Sequence, residues 1–373
     1  MLYSNYNVNI SARQVVINVI NNYFSAEATR KVGENDGTEP NTAEIDSIAA
    51  SHVFQLVNEK FSPKKRDNLH LAEAYLLTDF QNRQAKSWRL SLCANYLEFA
   101  LPPDGDDKRF KVVKTSSCHV RLCPVCQWRR SLNVFRNLAE IYEPLNKNYK
   151  HIFLTLTYPN CTGDELPEGI NRFTDGFVKL IHRKPYKDFI LGYTRTLEVT
   201  YNPILDNYHP HLHAILTVPK TYGKKIYVPF EEWRDEWEDI VRWEYDPNDP
   251  ESYHLQVNVK MIKKVDGKSI AEIAKYAVKP SDYIKKSVKK TARLVQILDK
   301  ALDGRRFVSY GGVVKQEKQK LFKSKSLEDI ETEEIEKAEW KDWERVIYQW
   351  HFGKEKYERR KPDSTVTDFT EFE

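Results

Sequence analysis

The chain has 373 residues, of which 40% are hydrophobic and 30% are charged. At about 100–200 residues per domain, this length predicts two or three domains. No run approaches the roughly 18 apolar residues of a membrane span, and five cysteines are too few for a disulfide-built secreted module. The first residues lack the basic start and apolar run of a signal peptide. These features predict a soluble, cytoplasmic protein with no membrane partner.

The first hundred or so residues contain few regular patterns. Val15–Phe24 is a short apolar segment that fits a helix or a strand, and residues 25–46 are rich in Gly, Glu, Asn and Thr, which is typical of a flexible linker. Residues 102–106 read Pro-Pro-Asp-Gly-Asp, a strong turn signal. After it, residues 128–143 place apolar side chains at helical spacing.

The middle of the chain alternates strand and helix patterns. Strand-like runs are predicted at 151–158, 189–201, 211–218 and 255–261. Helical spacing is predicted at 173–182, 230–243 and 269–278, the last ending before Pro280, and a final long amphipathic helix at 327–350. This order predicts an α+β fold.

The net charge of +4 conceals two regions of opposite sign. Residues 255–325 hold 19 basic and 6 acidic residues, an excess of 13 positive charges. Residues 327–344 hold nine acidic and two basic residues, an excess of seven negative charges. The basic block is typical of a polyanion-binding surface, although two solvated helical faces of opposite sign would give the same pattern.

Three cysteines lie close together at Cys118, Cys123 and Cys126. Cys93, on the other side of the turn, can supply a fourth thiolate, with His119 as the alternative fourth ligand. Four such ligands close a tetrahedral structural zinc site and leave no position for chemistry. Free thiols or a Cys-x-x-Cys redox motif are the alternatives, but no βαβ pattern precedes the cysteines.

Three histidines alternate along one predicted strand, at His209, His211 and His213. Alternate residues of a strand point to one face, so these imidazoles can grip one divalent ion. Packing alone rarely produces such a row, although structural histidines would also fit it. Glu198, on a neighbouring predicted strand, is the best candidate for a carboxylate ligand, and the mixed set suits Mg²⁺ or Mn²⁺.

Glu272 and Tyr276 are four residues apart in a predicted helix and would share one of its faces. Tyrosine is a poor nucleophile at its usual pKa of about 10. A metal-polarised phosphate, with Lys275 and Lys279 nearby to stabilise negative charge, would activate it. The Glu-x3-Tyr spacing is common by chance and gains meaning only beside the histidine strand.

Together these motifs resemble the HUH endonucleases. The resemblance rests on the histidine pair, the upstream strand Phe153–Thr157, the downstream Glu272 and Tyr276, and the cysteine cluster, and it covers roughly residues 90–325. Among these enzymes, the chain is most similar to rolling-circle replication initiator (Rep) proteins of small bacterial plasmids. The resemblance implies a central antiparallel sheet flanked by helices, with an N-terminal zinc-stabilised helical domain and a C-terminal helical extension.

The resemblance also implies a role for each matched residue. His211, His213 and Glu198 would hold the catalytic Mg²⁺ or Mn²⁺, and Tyr276 would attack a phosphodiester of single-stranded origin DNA to form a 5′-phosphotyrosyl link. Glu272 would activate water at termination. His209 departs from the pattern, either as a competing ligand or as a neighbour of the ligands. Tyr283 is either a base-stacking residue or a spare nucleophile.

The predicted domains follow from these assignments. Residues 1–50 form an N-terminal segment and linker, 51–148 a cysteine-containing DNA-binding domain, 149–290 the HUH catalytic domain, 291–325 a basic segment, and 326–373 an acidic helix and tail. The implied partners are plasmid origin DNA, a host helicase, a DNA polymerase and another copy of the chain. An HUH transposase, a relaxase or a non-catalytic zinc-containing DNA-binding regulator are the competing hypotheses.

Overall fold

The computed structural model describes residues 52–103, 110–249, 252–275, 277–322 and 342–360. The predicted N-terminal segment and linker, residues 327–341 of the predicted acidic helix and Tyr276 lie outside these ranges. No helix within the described ranges is both long enough and apolar enough to span a bilayer.

The described residues form ten α-helices, one π-helical turn at Val57–Phe61 and one 3₁₀ turn at Tyr186–Asp188. The helices are α1 (His52–Leu56), α2 (Ser62–Leu76), α3 (Arg83–Leu92), α4 (Pro124–Asn148), α5 (Leu166–His182), α6 (Phe230–Val241), α7 (Gly267–Ile273), α8 (Pro280–Tyr283), α9 (Val288–Leu302) and α10 (Gly312–Phe322).

Nine strands form two antiparallel sheets within the same ranges. The strands are β1 (Tyr96–Leu101), β2 (Lys111–Thr115), β3 (Lys150–Thr157), β4 (Gly192–Asn202), β5 (Asn207–Val218), β6 (Val257–Ile262), β7 (Val308–Gly311), β8 (Glu344–His351) and β9 (Lys356–Arg360). The smaller sheet has the order β2-β1-β8-β9 and the larger has the order β6-β3-β5-β4-β7. The predicted α+β class and central antiparallel sheet are confirmed.

The described chain divides into two compact units. Unit 1 contains the described residues up to Cys126, Lys286–Arg293 and residues 342–360, and unit 2 contains the rest. The first change of unit along the chain falls between Cys126 and Gln127, whereas the predicted domain limits stood at 148 and 290. The functions attached to the predicted domains stay predictions.

The five-stranded sheet of unit 2 has one apolar face that is covered by helices. Leu156, Leu212 and Leu197 lie side by side on β3, β5 and β4, and each is at most 1% exposed. Phe173 of α5 and Trp237 of α6 are fully buried and pack edge to face. Burial of this apolar surface fixes the register of β5, and a slip of one residue would turn its histidines into the core.

The predicted helix at 269–278 is shorter in the structure and ends at Ile273. The Ala274 carbonyl accepts a hydrogen bond from the Ser131 hydroxyl, and the Ala277 carbonyl accepts one from the Val199 amide at 2.7 Å. The chain therefore exchanges helical hydrogen bonds for bonds to α4 and β4. The predicted shared helical face of Glu272 and Tyr276 stays a prediction, because Tyr276 lies outside the described residues.

The predicted helix at 327–350 was also wrong for its described part, because Glu344–His351 forms strand β8. Val346, Tyr348 and Trp350 alternate on one face and are 3–4% exposed. Apolar residues at i, i+2 and i+4 satisfy the strand period, and β8 pairs with β1 while β9 pairs with β8. The described C-terminal region is thus a hairpin that completes the sheet of unit 1.

Candidate metal centres and catalytic face

The histidines of β5 share one face of the larger sheet, as predicted from their spacing. His209, His211 and His213 are half-buried, while Tyr208, Pro210, Leu212 and Ala214 between and beside them are buried. The sheet therefore holds the three rings in a row along a strand that is paired on both sides.

Glu198 lies on the same face because β4 pairs with β5 in a register that sets it opposite His211. Its Oε2 atom is 3.3 Å from Nε2 of His213, and Nδ1 of that ring is 3.1 Å from the Thr155 hydroxyl. Two ligands at right angles on an ion with bonds of about 2.1 Å lie about 3 Å apart. Glu198 and His213 thus have a spacing that suits two adjacent ligands of one ion.

His211 carries a buried polar atom without a protein partner. Its Nδ1 atom has almost no solvent contact and no hydrogen bond. Burial, together with the neighbouring His209, lowers the pKa of His211 to about 4, so that the ring is neutral at physiological pH. A nitrogen of a neutral imidazole that accepts no hydrogen bond is a suitable metal ligand. However, the ligand atoms of His211, His213 and Glu198 are not gathered within 4.8 Å of one another, unlike the four cysteine sulfurs.

Lys279 contacts the other oxygen of Glu198. Its Nζ atom lies 3.3 Å from Oε1, and its side chain is 51% exposed. Burial would raise the pKa of Glu198, but the hydrogen bond with His213 and the charge of Lys279 outweigh it and lower that pKa to about 2. Glu198 is therefore ionised and held by a cation. We assigned Lys279 to DNA from the sequence; the structure places it on the proposed metal ligand.

His209 extends the row at the hairpin end of the face. Its Nδ1 atom is 2.6 Å from the side-chain oxygen of Asn160, and its ring lies 4.3 Å from that of His211 in an edge-to-face arrangement. Nothing brings it into contact with Glu198. This geometry favours the interpretation of His209 as a neighbour that orients His211.

The residues on either side of Tyr276 are described, although Tyr276 itself is not. The Ala277 carbonyl accepts a hydrogen bond from the amide of Val199, which is the residue after Glu198 on β4. Lys275 forms an ion pair with Glu272, and both side chains are substantially exposed. The segment after residue 275 thus runs to the strand that carries Glu198. Lys275 and Lys279 are both paired with carboxylates of this face, and their contact with DNA stays a prediction.

Tyr283 belongs to the core. Its side chain is fully buried, and its hydroxyl accepts a hydrogen bond from the Gln127 side chain at 3.1 Å. A buried, bonded hydroxyl can neither stack on a base nor reach a phosphate. Both roles considered for Tyr283 from the sequence were therefore wrong.

A second site lies in unit 1, where Cys93, Cys118, Cys123 and Cys126 are buried and their sulfurs lie within 4.8 Å of one another. The sulfur of Cys93 is 3.5 Å from that of Cys123, and two further S···S distances are 3.7 Å. These distances exclude disulfides, whose S–S bond is about 2.05 Å. With Zn–S bonds of about 2.3 Å, a tetrahedral site has S···S edges of about 3.8 Å. The four cysteines can therefore hold a metal ion such as zinc.

His119 is not the fourth ligand, since its side chain is exposed and Cys93 occupies that position. Its backbone nevertheless serves the cluster. His119 adopts a left-handed conformation with φ of 53°, and its amide donates to the Cys126 sulfur. Hydrogen bonds from Cys118 and other thiols, together with this amide, lower the pKa of Cys126. The lone Cys161 pairs with Tyr208 through the backbone and lies outside the cluster.

Two polar side chains of α2 support the cysteine cluster and were missed from the sequence. Lys65 is fully buried and donates to the carbonyls of Ser91 and Cys93, the latter at 2.8 Å. Asn68 is also fully buried, with its side-chain oxygen 3.2 Å from the sulfur of Cys123. No sequence signal marks either residue, because Lys65 sits in a Lys-Lys-Arg-Asp run typical of a solvated helix face.

The C-terminal hairpin packs against the short segment between α3 and β1 that begins with Cys93. The Tyr357 hydroxyl donates to the Ala94 carbonyl at 2.6 Å, and the Trp350 amide donates to the Asn95 carbonyl at 2.9 Å. Phe352, in the turn between β8 and β9, lies 5.5 Å from the ammonium of Lys65. Residues more than 200 positions apart thus build one side of the cysteine site.

The described chain thus combines an antiparallel sheet that presents histidines and a carboxylate on one face with a four-cysteine cluster that can hold a metal ion. Comparison with known proteins gives the family. The family model described as "Replication protein" matches residues 109–358, which include the histidine strand, Glu272 and Tyr276. The chain belongs to this replication protein family, and the resemblance to rolling-circle replication initiators is confirmed.

Curated relatives named "Protein rep" agree with this assignment. One from Bacillus amyloliquefaciens is 35% identical over 294 residues, which is 73% of this chain and 84% of the relative. Another from Staphylococcus aureus is 35% identical over 233 residues, covering 61% of this chain and 95% of the relative. One from Lactiplantibacillus plantarum is 32% identical over 329 residues, with 82% and 99% covered. No solved structure gives a significant match.

Proposed function

We propose that this replication initiator starts rolling-circle replication of a plasmid by nicking and rejoining single-stranded origin DNA. The observation that carries the proposal is the face formed by His211, His213 and Glu198, with the segment around Tyr276 bonded to the same strand. We further propose that Mg²⁺ or Mn²⁺ occupies this face and that Zn²⁺ occupies the cysteine cluster.

The proposed cleavage is a transesterification. The phenolic oxygen of Tyr276 attacks the scissile phosphorus, the bond from phosphorus to the 3′ oxygen breaks, and the products are a 5′-phosphotyrosyl link and a free 3′-hydroxyl. His211, His213 and Glu198 would hold the divalent ion, which when bound would supply Lewis-acid polarisation of the phosphate. Lys275 and Lys279 add positive charge where negative charge develops. The 3′-hydroxyl then serves as primer for a polymerase, beside a host helicase.

Glu272 has the exposure that a role at termination requires. Its side chain is 44% exposed and is held by Lys275. An accessible carboxylate can accept a proton from water that attacks the regenerated nick-site phosphodiester after one round of synthesis, which frees a new 3′-hydroxyl. That 3′-hydroxyl would then attack the phosphotyrosyl phosphorus, so that the bond to Tyr276 breaks, the strand ends are joined into a circle and the Tyr276 hydroxyl is regenerated.

The experiment that tests the enzyme proposal uses Tyr276→Phe. With an origin oligonucleotide and Mn²⁺, the wild-type protein should form a covalent adduct that mass spectrometry maps to Tyr276. The variant should form none, with cleavage reduced by at least about 10³-fold, because no other group replaces the nucleophile. Absence of an adduct in the wild type would favour the non-catalytic DNA-binding regulator instead.

Glu272→Gln should separate initiation from termination. We expect nicking within about threefold of wild type, because the carboxylate is not needed for tyrosine attack. Release of the phosphotyrosyl intermediate should slow by about 10²-fold or more, the usual contribution of a general base. Single-turnover assays that follow adduct formation, and then adduct decay after a second nick-site oligonucleotide is added, would measure both steps. Loss of the nicking step itself would contradict this role.

Lys279→Met should strengthen divalent-ion binding while weakening cleavage. The lysine occupies Oε1 of Glu198, so its removal frees an oxygen for the ion and removes a competing positive charge. We expect Mn²⁺ affinity, measured by calorimetry, to rise by several-fold, and cleavage to fall because one phosphate contact is lost. A fall in Mn²⁺ affinity would show that Lys279 positions Glu198 for the ion. Lys300→Met, at an exposed lysine of α9, is the matched control.

A further inference from the structure

The hairpin that joins β4 to β5 ends in two exposed aliphatic residues. Ile204 is 90% exposed and Leu205 is 63% exposed, and they are adjacent at the tip. Polar residues dominate turns of this kind, and the neighbouring Asn202, Asp206 and Asn207 follow that rule. Single exposed apolar residues are ordinary, but two together at the end of a projection mark a contact surface.

The tip is held in one conformation by its polar residues. The side-chain oxygen of Asn202 accepts hydrogen bonds from the amides of Ile204 and Leu205, at 2.9 and 3.2 Å. The Tyr201 hydroxyl donates to Asp206 at 2.6 Å, and Asp206 adopts a left-handed φ of 52°. These bonds fix the backbone of the turn while leaving both aliphatic side chains in solvent.

The stem of the hairpin is equally well supported. Tyr201 and Tyr208 face each other in the register, are at most 7% exposed, and have ring centroids 5.2 Å apart. Cys161 extends the sheet through two backbone bonds to Tyr208, and the ammonium of Lys285 lies 5.7 Å from the ring of Tyr201. The tip is therefore a rigid projection of the sheet that carries the metal-binding face.

We propose that Ile204 and Leu205 form a wedge that enters the base stack of the origin duplex and separates its strands next to the nick site. The inference rests on the proposed function, which needs single-stranded DNA, whereas a plasmid is double-stranded. Aliphatic side chains inserted between base pairs unstack them and open or kink the duplex. Lys285 lies beside the stem, and its ammonium suits a phosphate next to the inserted residues.

The geometry sets the distance from wedge to cleavage. Ile204 is six residues beyond Glu198 along β4 and its turn, which is about 20 Å at roughly 3.3 Å per strand residue. Stacked base pairs repeat every 3.4 Å or so along a strand. The opened bases should therefore lie within about six nucleotides of the nick.

Permanganate footprinting of a supercoiled origin plasmid tests this proposal without cleavage, since Tyr276→Phe protein can be used as the parent. The parent should make thymines near the nick reactive. Ile204→Ser/Leu205→Ser, added to the parent, should lower that reactivity by at least about tenfold while duplex binding changes by less than about twofold. Ile204→Phe/Leu205→Phe should retain opening, because an apolar wedge is kept. Leu132→Ser, at another exposed aliphatic residue, is the control.

With Tyr276 intact, the double serine variant should still cleave an unpaired origin oligonucleotide at the wild-type rate. Equal loss of cleavage on unpaired and duplex DNA would overturn the wedge, as would unchanged permanganate reactivity in the double variant. A parent that opens no bases would also overturn it. Absence of a tyrosine adduct would refute the nicking proposal alone, because the footprint does not depend on it. Loss of self-association without loss of opening would assign the tip to a second copy of the chain.

Discussion

His211→Ala should reduce metal-dependent cleavage of an origin oligonucleotide by at least about 100-fold, since even indirect partners of metal ligands contribute about 10–100-fold. His211 sits opposite Glu198 on a strand paired on both sides, and its Nδ1 atom is buried without a hydrogen bond. An atom in that state gains a partner only when an ion or an ordered water reaches it. Its low pKa of about 4 means that protons compete little for the same nitrogen at neutral pH.

The measurement pairs cleavage with Mn²⁺ affinity, determined by calorimetry on protein without DNA. Both should fall together in His211→Ala, and thermal stability should change little because the side chain is only partly buried. His182→Ala, at an exposed histidine near the end of α5, should change neither quantity. Cleavage lost at unchanged Mn²⁺ affinity would mean that His211 contacts DNA instead of the ion.

The shared face of the histidines could be predicted because strand alternation is a local rule. Once β5 is recognised as a strand, its three histidines must share a face, and the buried Pro210 and Leu212 between them fix which face is outward. Glu198 followed from the expectation of an adjacent antiparallel strand, which the register bears out. The four cysteines could also be predicted to form one cluster, because three of them are close in sequence and a shared metal site is one of few arrangements that use several neighbouring thiols.

What the sequence could not reveal depends on contacts between distant segments. The spacing of Trp343, Ile347 and Trp350 favoured a helix. In the structure, Val346, Tyr348 and Trp350 are buried because β8 pairs with an edge of β1 about 250 residues earlier. Strand β7 was missed because it has four residues and gains its hydrogen bonds from β4.

Burial of charged residues could not be predicted from the sequence either. From the sequence, Lys65 is predicted to be a solvated lysine. Its burial depends on the packing of α2 against the segment that carries Cys93. Neither residue type nor spacing indicates that a lysine will be fully buried. The role of Lys279 at Glu198 was hidden in the same way, because that ion pair depends on how the chain after α7 docks onto β4.

Cys118→Ser should release zinc from purified protein and unfold unit 1. A structural zinc site contributes folding free energy directly, about 10–16 kcal/mol in small zinc-finger peptides. A loss of even about 2 kcal/mol lowers the Tm of a domain of 60–100 residues by roughly 8–16 °C. The cost should be large here because the cluster joins α3, the start of α4 and the segment of β1 on which the C-terminal hairpin packs.

Metal analysis and thermal unfolding would test this together, with Cys161→Ser as the matched control. Cys161 is also buried, but its sulfur lies outside the cluster, so zinc content should stay at one ion per chain in that variant. Lys65→Met should have a Tm between those of Cys118→Ser and Cys161→Ser. It removes the ammonium that binds the carbonyls of Ser91 and Cys93 but leaves every sulfur in place. Wild-type protein purified without zinc, yet stable to chelators, would show that packing of the four thiols alone holds this unit together.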